Sequence, residues 1–503
     1  MLMKRVKPLT RILAEGSEKT GGLQRSLGPW SLTAMGIGAI IGTGIFVLTG
    51  AASATRAGPA ITLSFVVAGI VSALAALCYA EVSSKIPISG SAYSYTYATL
   101  GELLAWIIGW DLVLEYGLGA ATVAIGWSGY FVNILTQIGI NLPPEWTNGP
   151  HWGLAGQAGV DGHANLPAAV IILLITVLLA RGTRESGFVN SIIVTIKLLI
   201  VLFFIVVGLG HIDPANYHLA ASPQTGLGGY FPFGWSGVFG GAAFIFFAYI
   251  GFDAVSTTAE EAKNPGRDLP FGIIMSLAVC TILYIIVVAI LNGMVPFYKL
   301  NVAFPVAFAM NYAGVAWAGL VISLGAIAGL TTVLLVMMFG QSRIFFAMSR
   351  DGLIPKSFTR IHPVWRTPIF STIFFGVCIS AIAALTPINI VGSLTNMGTL
   401  AAFMLVSIAV PILRRRHPDL KSSFTVPFGP YVIPVLSALT ALGLIYYLKV
   451  GNPVVWGFFP LVWLWFLIWL AVGLVYYFSY GRHHSTIALQ EAEGLAVTQP
   501  PVN

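Results

Sequence analysis

The chain has 503 residues, of which 57% are hydrophobic and only 9% charged, and its mean hydropathy is +0.86. Ordinary soluble domains carry about 25% charged residues, so 25 Lys/Arg and 18 Asp/Glu cannot cover the polar surface that a soluble chain of this length needs. A cytosolic enzyme, a nucleic-acid-binding protein and a disordered chain are thereby excluded, and the net charge of +7 matters less than where the charges fall.

About 20 apolar residues cross a bilayer's hydrocarbon core as a helix. By that measure twelve segments are predicted to be membrane-spanning helices: 30–54, 59–84, 99–138, 166–181, 187–210, 235–259, 270–294, 314–345, 368–386, 389–413, 429–449 and 455–480, numbered 1 to 12 below. The third is overlong and the fourth short. The alternating strands of a barrel are not seen. The fold class is therefore an all-α polytopic membrane protein with 12 transmembrane helices.

The first twenty-odd residues are polar and basic, with no apolar core before residue 30, so no cleavable signal is expected. With both termini on the cytoplasmic side, 21 of the 25 Lys/Arg fall in inner loops and tails, as the positive-inside rule requires. Arg56, Lys299 and Lys449 fall outside, and Lys197 is left within a segment. Cys78, Cys280 and Cys378 lie in apolar segments at no metal-like spacing and read as interior packing residues. All eight histidines lie in predicted loops or tails, so neither an enzyme's nucleophile–base arrangement nor a metal site is expected. Residues 484–503 read as a disordered tail.

Segment 1 contains Gly36, Gly38, Gly42 and Gly44 within nine residues, each costing a helix about 1 kcal/mol relative to alanine. Gly38 and Gly42 could serve close helix packing. The alternative is a discontinuous helix whose free N–H groups hold a carboxylate. Segment 6, flanked by Gly240, Gly241 and Gly251, repeats the feature five segments later. Paired interruptions of this kind mark a transporter's binding site.

Ionisable side chains inside a segment cost at least about 2.5–3.5 kcal/mol at its centre and face protein or water. Glu115 in segment 3, Lys197 in segment 5 and Asp253 in segment 6 are such residues, while Glu81, Glu102 and Asp111 lie nearer predicted ends and read as interfacial charges. Lys197 is ten or more residues from either end of its segment, too deep for its stem to snorkel to water. It can carry a proton, replace a metal ion, or sit fixed against helix carbonyls or a carboxylate. Glu115 can pair with a cation, carry a proton or hold a polar network. Asp253, just past the break in segment 6, can cap the following half-helix. All three are candidates for proton coupling.

Several stretches resemble signatures of the amino acid/polyamine/organocation (APC) superfamily: Pro87-Ile-Ser-Gly-Ser-Ala-Tyr-Ser-Tyr95 after segment 2 and Ser342-Arg-Ile-Phe-Phe-Ala-Met-Ser-Arg-Asp-Gly-Leu-Ile-Pro355 after segment 8. Gly109-Trp-Asp-Leu-Val-Leu-Glu-Tyr116 and the run from Gly251 to Pro270 resemble the cationic amino acid transporter branch and its bacterial homologues. The resemblance runs from about residue 20 to 480. It implies the LeuT-like fold: a cytoplasmic segment 1–29, inverted five-helix repeats over 30–211 and 235–413, two further helices over 429–480, and a cytoplasmic tail 481–503, with helices 1 and 6 broken.

Carried onto matching positions, the resemblance implies that Ile40, Ile41, Gly42, Thr43 and Gly44 cradle the substrate carboxylate. Carbonyls near Phe244, Ala248 and Ile250 receive its ammonium, and Phe247 forms an aromatic gate. Lys197 matches the lysine of proton-coupled members, with Gly38, Ile41 and Thr332 as its expected contacts. The implied activity is import of L-amino acids by proton symport with alternating access. Exchange of cationic or neutral amino acids is the alternative, and the pocket's Ile, Ala, Phe and Tyr suit small neutral substrates as well as cationic ones. The expected partners are an L-amino acid, protons and membrane lipids, with no nucleic acid and a small accessory membrane subunit left open. No cofactor or metal is expected, the proton gradient being the energy source. The expected location is the plasma (cytoplasmic) membrane.

Overall fold

The computed structural model describes residues 5–8, 26–86, 91–150, 161–182, 187–219, 228–259, 261–365, 367–420, 423–455 and 459–492. Most of the N-terminal segment, the start of the Pro87 signature (87–90) and the tail 493–503 lie outside them.

Helix forms in each of the twelve apolar segments, and the sole sheet among the described residues is a two-residue pairing of Val454–Val455 with Phe459–Pro460. Eight stretches are long and apolar enough to cross a membrane, and three shorter apolar helices, Leu166–Ala180, Ile369–Leu385 and Val432–Tyr447, accompany them. The chain is a multi-pass membrane protein. Segments 5, 9 and 11 turn large apolar side chains such as Leu199, Val377 and Leu439 outward, as lipid-facing helices do. Cys378 is among the exposed residues, unlike the buried Cys78 and Cys280. The expectation that it packs inside the protein is therefore corrected: lipid is as apolar as a core, so composition does not separate the two faces.

Segment 7 begins at Pro265, five residues earlier than expected, because Pro265 fits the first helical turn. Pro270 then lacks the N–H that would bond the Gly266 carbonyl, and the Ser84 hydroxyl donates to that carbonyl instead at 2.9 Å. Segment 3 runs from Glu102 to Gln137 with one wide π-turn, Leu114–Leu118, around Glu115. Inserted turns of this kind recur at functional sites.

Glu81 and Glu102 are fully buried rather than interfacial, because other segments supply their partners. Glu81 accepts from the Arg414 guanidinium at 2.6 and 2.5 Å and from Lys85 at 3.0 Å. Glu102 accepts from the hydroxyls of Tyr97, Tyr477 and Ser485 at 3.2, 2.9 and 2.6 Å. Beside it, Lys7 Nζ meets Asp351 Oδ1 at 2.8 Å, and the Tyr93 hydroxyl donates to Asp351 Oδ2 at 2.8 Å. Thr486 N–H donates to the Asp351 carbonyl at 3.0 Å. The tail reading is thus corrected as far as residue 492: Thr486–Ala492 is helical, with Ile487 buried, because Glu102 and the Asp351 carbonyl hold Ser485 and Thr486 at its start.

Arg56, counted as an outer-loop charge, is also buried. Its guanidinium lies 4.2 Å from the Phe244 ring centroid and donates to the carbonyls of Val450 and Gly451 and to Asn452 Oδ1. It ties the C-terminal end of segment 1 to the loop between segments 11 and 12.

Candidate functional site

In segment 1 the helix Pro29–Ile40 stops where Ile41 turns extended (φ −72°, ψ 101°). Helical bonding resumes when the Gly42 carbonyl accepts from Ile45 and Phe46 N–H, each at 3.3 Å. The N–H groups of Gly42, Thr43 and Gly44 therefore open a new half-helix, where orphan donors and the helix dipole favour an anion. In segment 6 the helix Gly234–Ile245 tightens into a turn at Phe246–Tyr249. Ile250 then becomes extended (φ −62°, ψ 135°), Gly251 takes φ +118°, and a second turn runs from Asp253 to Thr258.

The two interruptions meet. A Cβ added to Gly44 would fall inside the Ala248 backbone, and one added to Gly251 would lie 2.9 Å from the Ala39 carbonyl. Only glycine permits both approaches, and only glycine accepts φ +118° without strain. The opening of one half-helix, rich in donors, thereby faces the end of another, rich in acceptors.

Lys197 is buried, and its Nζ donates to the Gly38 carbonyl at 2.7 Å, in the last turn before the first break. Its stem lies along Gly329 of segment 8, where an added Cβ would be 3.1 Å from Lys197 Cγ. The Thr332 hydroxyl donates within its own helix, to the Gly329 carbonyl at 2.8 Å. Tyr284 donates to the Ile40 carbonyl at 2.8 Å, and Tyr130 to the Phe46 carbonyl at 2.6 Å, so the peptide groups flanking the break are held from outside the helix. Thr43 is fully buried, and its hydroxyl has no hydrogen-bond partner among the described residues.

A small recess opens beside the breaks. Ala39, Ile250, Gly251 and Ala254 line it from segments 1 and 6, Glu115 and Tyr116 from segment 3, and Val333, Val336 and Met337 from segment 8. Asp253 also lines it, so the structure brings Glu115 and Asp253 to one wall. Asp253 Oδ2 and Asp111 Oδ1 are buried with no hydrogen-bond partner among the described residues. Lys197 stands apart from this recess, on the Gly38 side of segment 1.

Of the carbonyls expected to receive an ammonium group, that of Phe244 accepts from Asn396 Nδ2 at 2.7 Å. Phe247 is buried against the break, and its own carbonyl accepts from Ile250 N–H at 3.2 Å. Sequence reasoning missed Asn396, Tyr284, Tyr130 and Met337. None is a charge in an apolar run, and their relevance depends on which backbone groups face them.

Residues 27–472 match the amino acid permease family. The chain is 49% identical to the methylthioribose transporter of Bacillus subtilis over 96% of its own length and 98% of that protein. It is equally similar, at 49%, to the branched-chain amino acid permease BcaP of Bacillus subtilis, over 95% and 97% of the two chains. Human cationic amino acid transporter 4 is 38% identical over 84% of this chain and 64% of that one. These relatives are transporters, not enzymes. The chain belongs to the amino acid permease family of the APC superfamily.

Proposed function

We propose that this chain imports L-amino acids by proton symport, with alternating access around the two helix breaks. The observation that carries the reading is the mutual approach of Gly44 to Ala248 and Gly251 to Ala39. It sets backbone donors at Gly42–Gly44 opposite the carbonyl end of the helix Gly234–Ile245. An amino acid's carboxylate and ammonium fit that pair of ends. Ile40, Ile41, Gly42, Thr43 and Gly44 would hold the carboxylate, Ala248 and Ile250 carbonyls the ammonium, with Phe247 closing over the substrate. The side chain would enter the recess between Val333, Met337 and Ile250.

Lys197 is proposed as the coupling group. Its ammonium stitches segment 5 to the Gly38 carbonyl, and loss of the proton weakens that bond and frees segment 1 to move. Glu115 and Asp253, facing one recess, are the other proton-carrying candidates. The architecture proposed with this mechanism is twelve membrane helices, segments 1–5 and 6–10 as inverted repeats, and both termini on the cytoplasmic side of the plasma membrane. The Lys/Arg asymmetry supports that orientation.

Purified protein in liposomes tests the reading, with uptake measured against a competitor panel of leucine, valine, alanine, lysine, arginine and methylthioribose, with and without an inward pH gradient. Accumulation of an amino acid that requires the gradient supports symport. Uptake that instead requires amino acid inside the liposome assigns exchange. Uptake of methylthioribose alone refutes the amino acid reading.

A further inference from the structure

We propose that Asn396 shapes the substrate-facing end of segment 6 and offers its amide oxygen to a hydrogen-bond donor on the transported molecule. This rests on the two helix breaks being the substrate site.

The helix Gly234–Ile245 ends inside the protein and changes to the tighter turn Phe246–Tyr249, and at such a change of pitch carbonyls take side-chain donors. Asn396, in the helix Ile388–Arg416, reaches across to them: Nδ2 is 2.9 Å from the Ala243 carbonyl and 2.7 Å from the Phe244 carbonyl. An amide has two N–H donors on one side and an acceptor oxygen on the other. With both neighbours acceptors, the NH₂ group must face them, and this orientation follows from the network rather than from atom type. The oxygen is then directed away from the capped carbonyls.

Asn396 is fully buried, and Oδ1 has no hydrogen-bond partner among the described residues. Nearby hydroxyls do not supply one: Thr395 donates to the Val391 carbonyl at 2.9 Å and Thr399 to the Thr395 carbonyl at 3.0 Å, both along their own helix. A buried acceptor left without a donor is costly, and native proteins keep few of them. This one belongs to the amide that caps Phe244, a residue three positions before Phe247, at the helix end that the bound molecule must approach. A donor arriving with that molecule, an ammonium N–H or a hydroxyl, satisfies it. The two halves of the amide thus do different work. The nitrogen fixes where the helix stops, and the oxygen discriminates ligands that carry a donor from those that lack one.

The test pairs each transported member of the panel with an analogue in which one donor is replaced by hydrogen: the α-amino group in an amino acid, one hydroxyl in a hydroxylated ligand. Competition for uptake into liposomes gives the half-inhibitory concentration of each. In Asn396→Ala the native ligand should weaken by roughly tenfold or more, the worth of a hydrogen bond to a charged group, while the donor-less analogue changes little, so their ratio collapses. Asn396→Asp keeps an oxygen in place but cannot donate to the two carbonyls. It should retain the ratio and lose maximal rate, and it serves as well if the alanine variant is recovered in poor yield. Collapse with the amino acid pair identifies the donor as the ammonium, and collapse with the hydroxylated pair identifies a hydroxyl. Equal weakening of ligand and analogue in Asn396→Ala, or loss of the ratio in Asn396→Asp, overturns the proposal. A wild-type protein that transports no panel member refutes the substrate-site reading itself, and this assignment with it.

Discussion

Replacing Gly44 by alanine asks whether the two helix breaks must touch. The added Cβ would overlap Ala248, and even the Ala248 nitrogen would lie only 2.8 Å from it. Ordinary contact begins near 3.4 Å and the Ala248 Cα is nearer than its nitrogen, so the half-helices must part by about 1 Å or more, and because the obstacle is backbone no side-chain rotation relieves it. Overpacking of this kind costs about 1–3 kcal/mol, against a total stability of about 5–15 kcal/mol. Gly44→Ala should therefore fold, with a lowered melting temperature. Its function should suffer far more, because a displacement near 1 Å at a site built on positioning costs on the order of 100-fold. The assay is initial uptake by liposomes carrying equal amounts of monodisperse wild type and variant. Gly443→Ala is the control: nothing lies within 4 Å of its Cβ position in the helix Val432–Tyr447, so uptake should persist and stability rise by up to about 1 kcal/mol. A Gly44→Ala protein with wild-type uptake and half-saturation would refute the argument that the site requires contact between the breaks.

Gly251→Ala should be still less tolerated, because it adds left-handed strain at φ +118° to a 2.9 Å approach to Ala39. Uptake and melting temperature should both fall, and a variant with unchanged values would show that the turn relaxes freely. Asp351→Asn leaves the buried Lys7 ammonium without its carboxylate, and breaking a buried pair by removing one partner costs about 3–5 kcal/mol, read as a drop in melting temperature in detergent. Burial alone pushes the Asp351 carboxyl up, but Lys7, Arg350 and the Tyr93 hydroxyl outweigh it and hold the carboxyl below its ordinary 3.8. A depressed carboxylate contributes stability above its unfolded value, about 3.9, and that contribution is lost as pH falls through the lower folded value. Wild-type melting temperature should therefore decline as the pH drops below about 4, and Asp351→Asn should lack that part of the decline. Parallel curves for the two proteins would remove Asp351 as its source.

The parts of this site that could be read from sequence are those marked by local cost. Four glycines in nine residues, a lysine in an apolar run and a second glycine-flanked segment each violate what a lipid-crossing helix prefers, and the structure places the interruptions at Ile41 and Ile250–Gly251. Helix positions followed from apolar length alone. What could not be read depends on partners far along the chain. Glu102 and Glu81 look interfacial until Ser485 and Arg414, more than 300 residues away, reach them. Thr486–Ala492 looks like tail because the groups that hold its start, Glu102 and the Asp351 carbonyl, lie far back along the chain. Asn396 sits among Ser393, Thr395 and Thr399, where one more polar side chain carries no signal. Only the end of segment 6 beside it gives the amide a role.

Lys197 bears most directly on the mechanism. Wild-type and Lys197→Met proteins, reconstituted in equal amounts, should be compared for amino acid accumulation under an inward proton gradient and for exchange at equal pH. The wild type should concentrate substrate only when the gradient is present. Lys197→Met should fail to concentrate it, because no titratable group remains to hold and release the Gly38 carbonyl. Gradient-driven accumulation by Lys197→Met at the wild-type level would contradict the account.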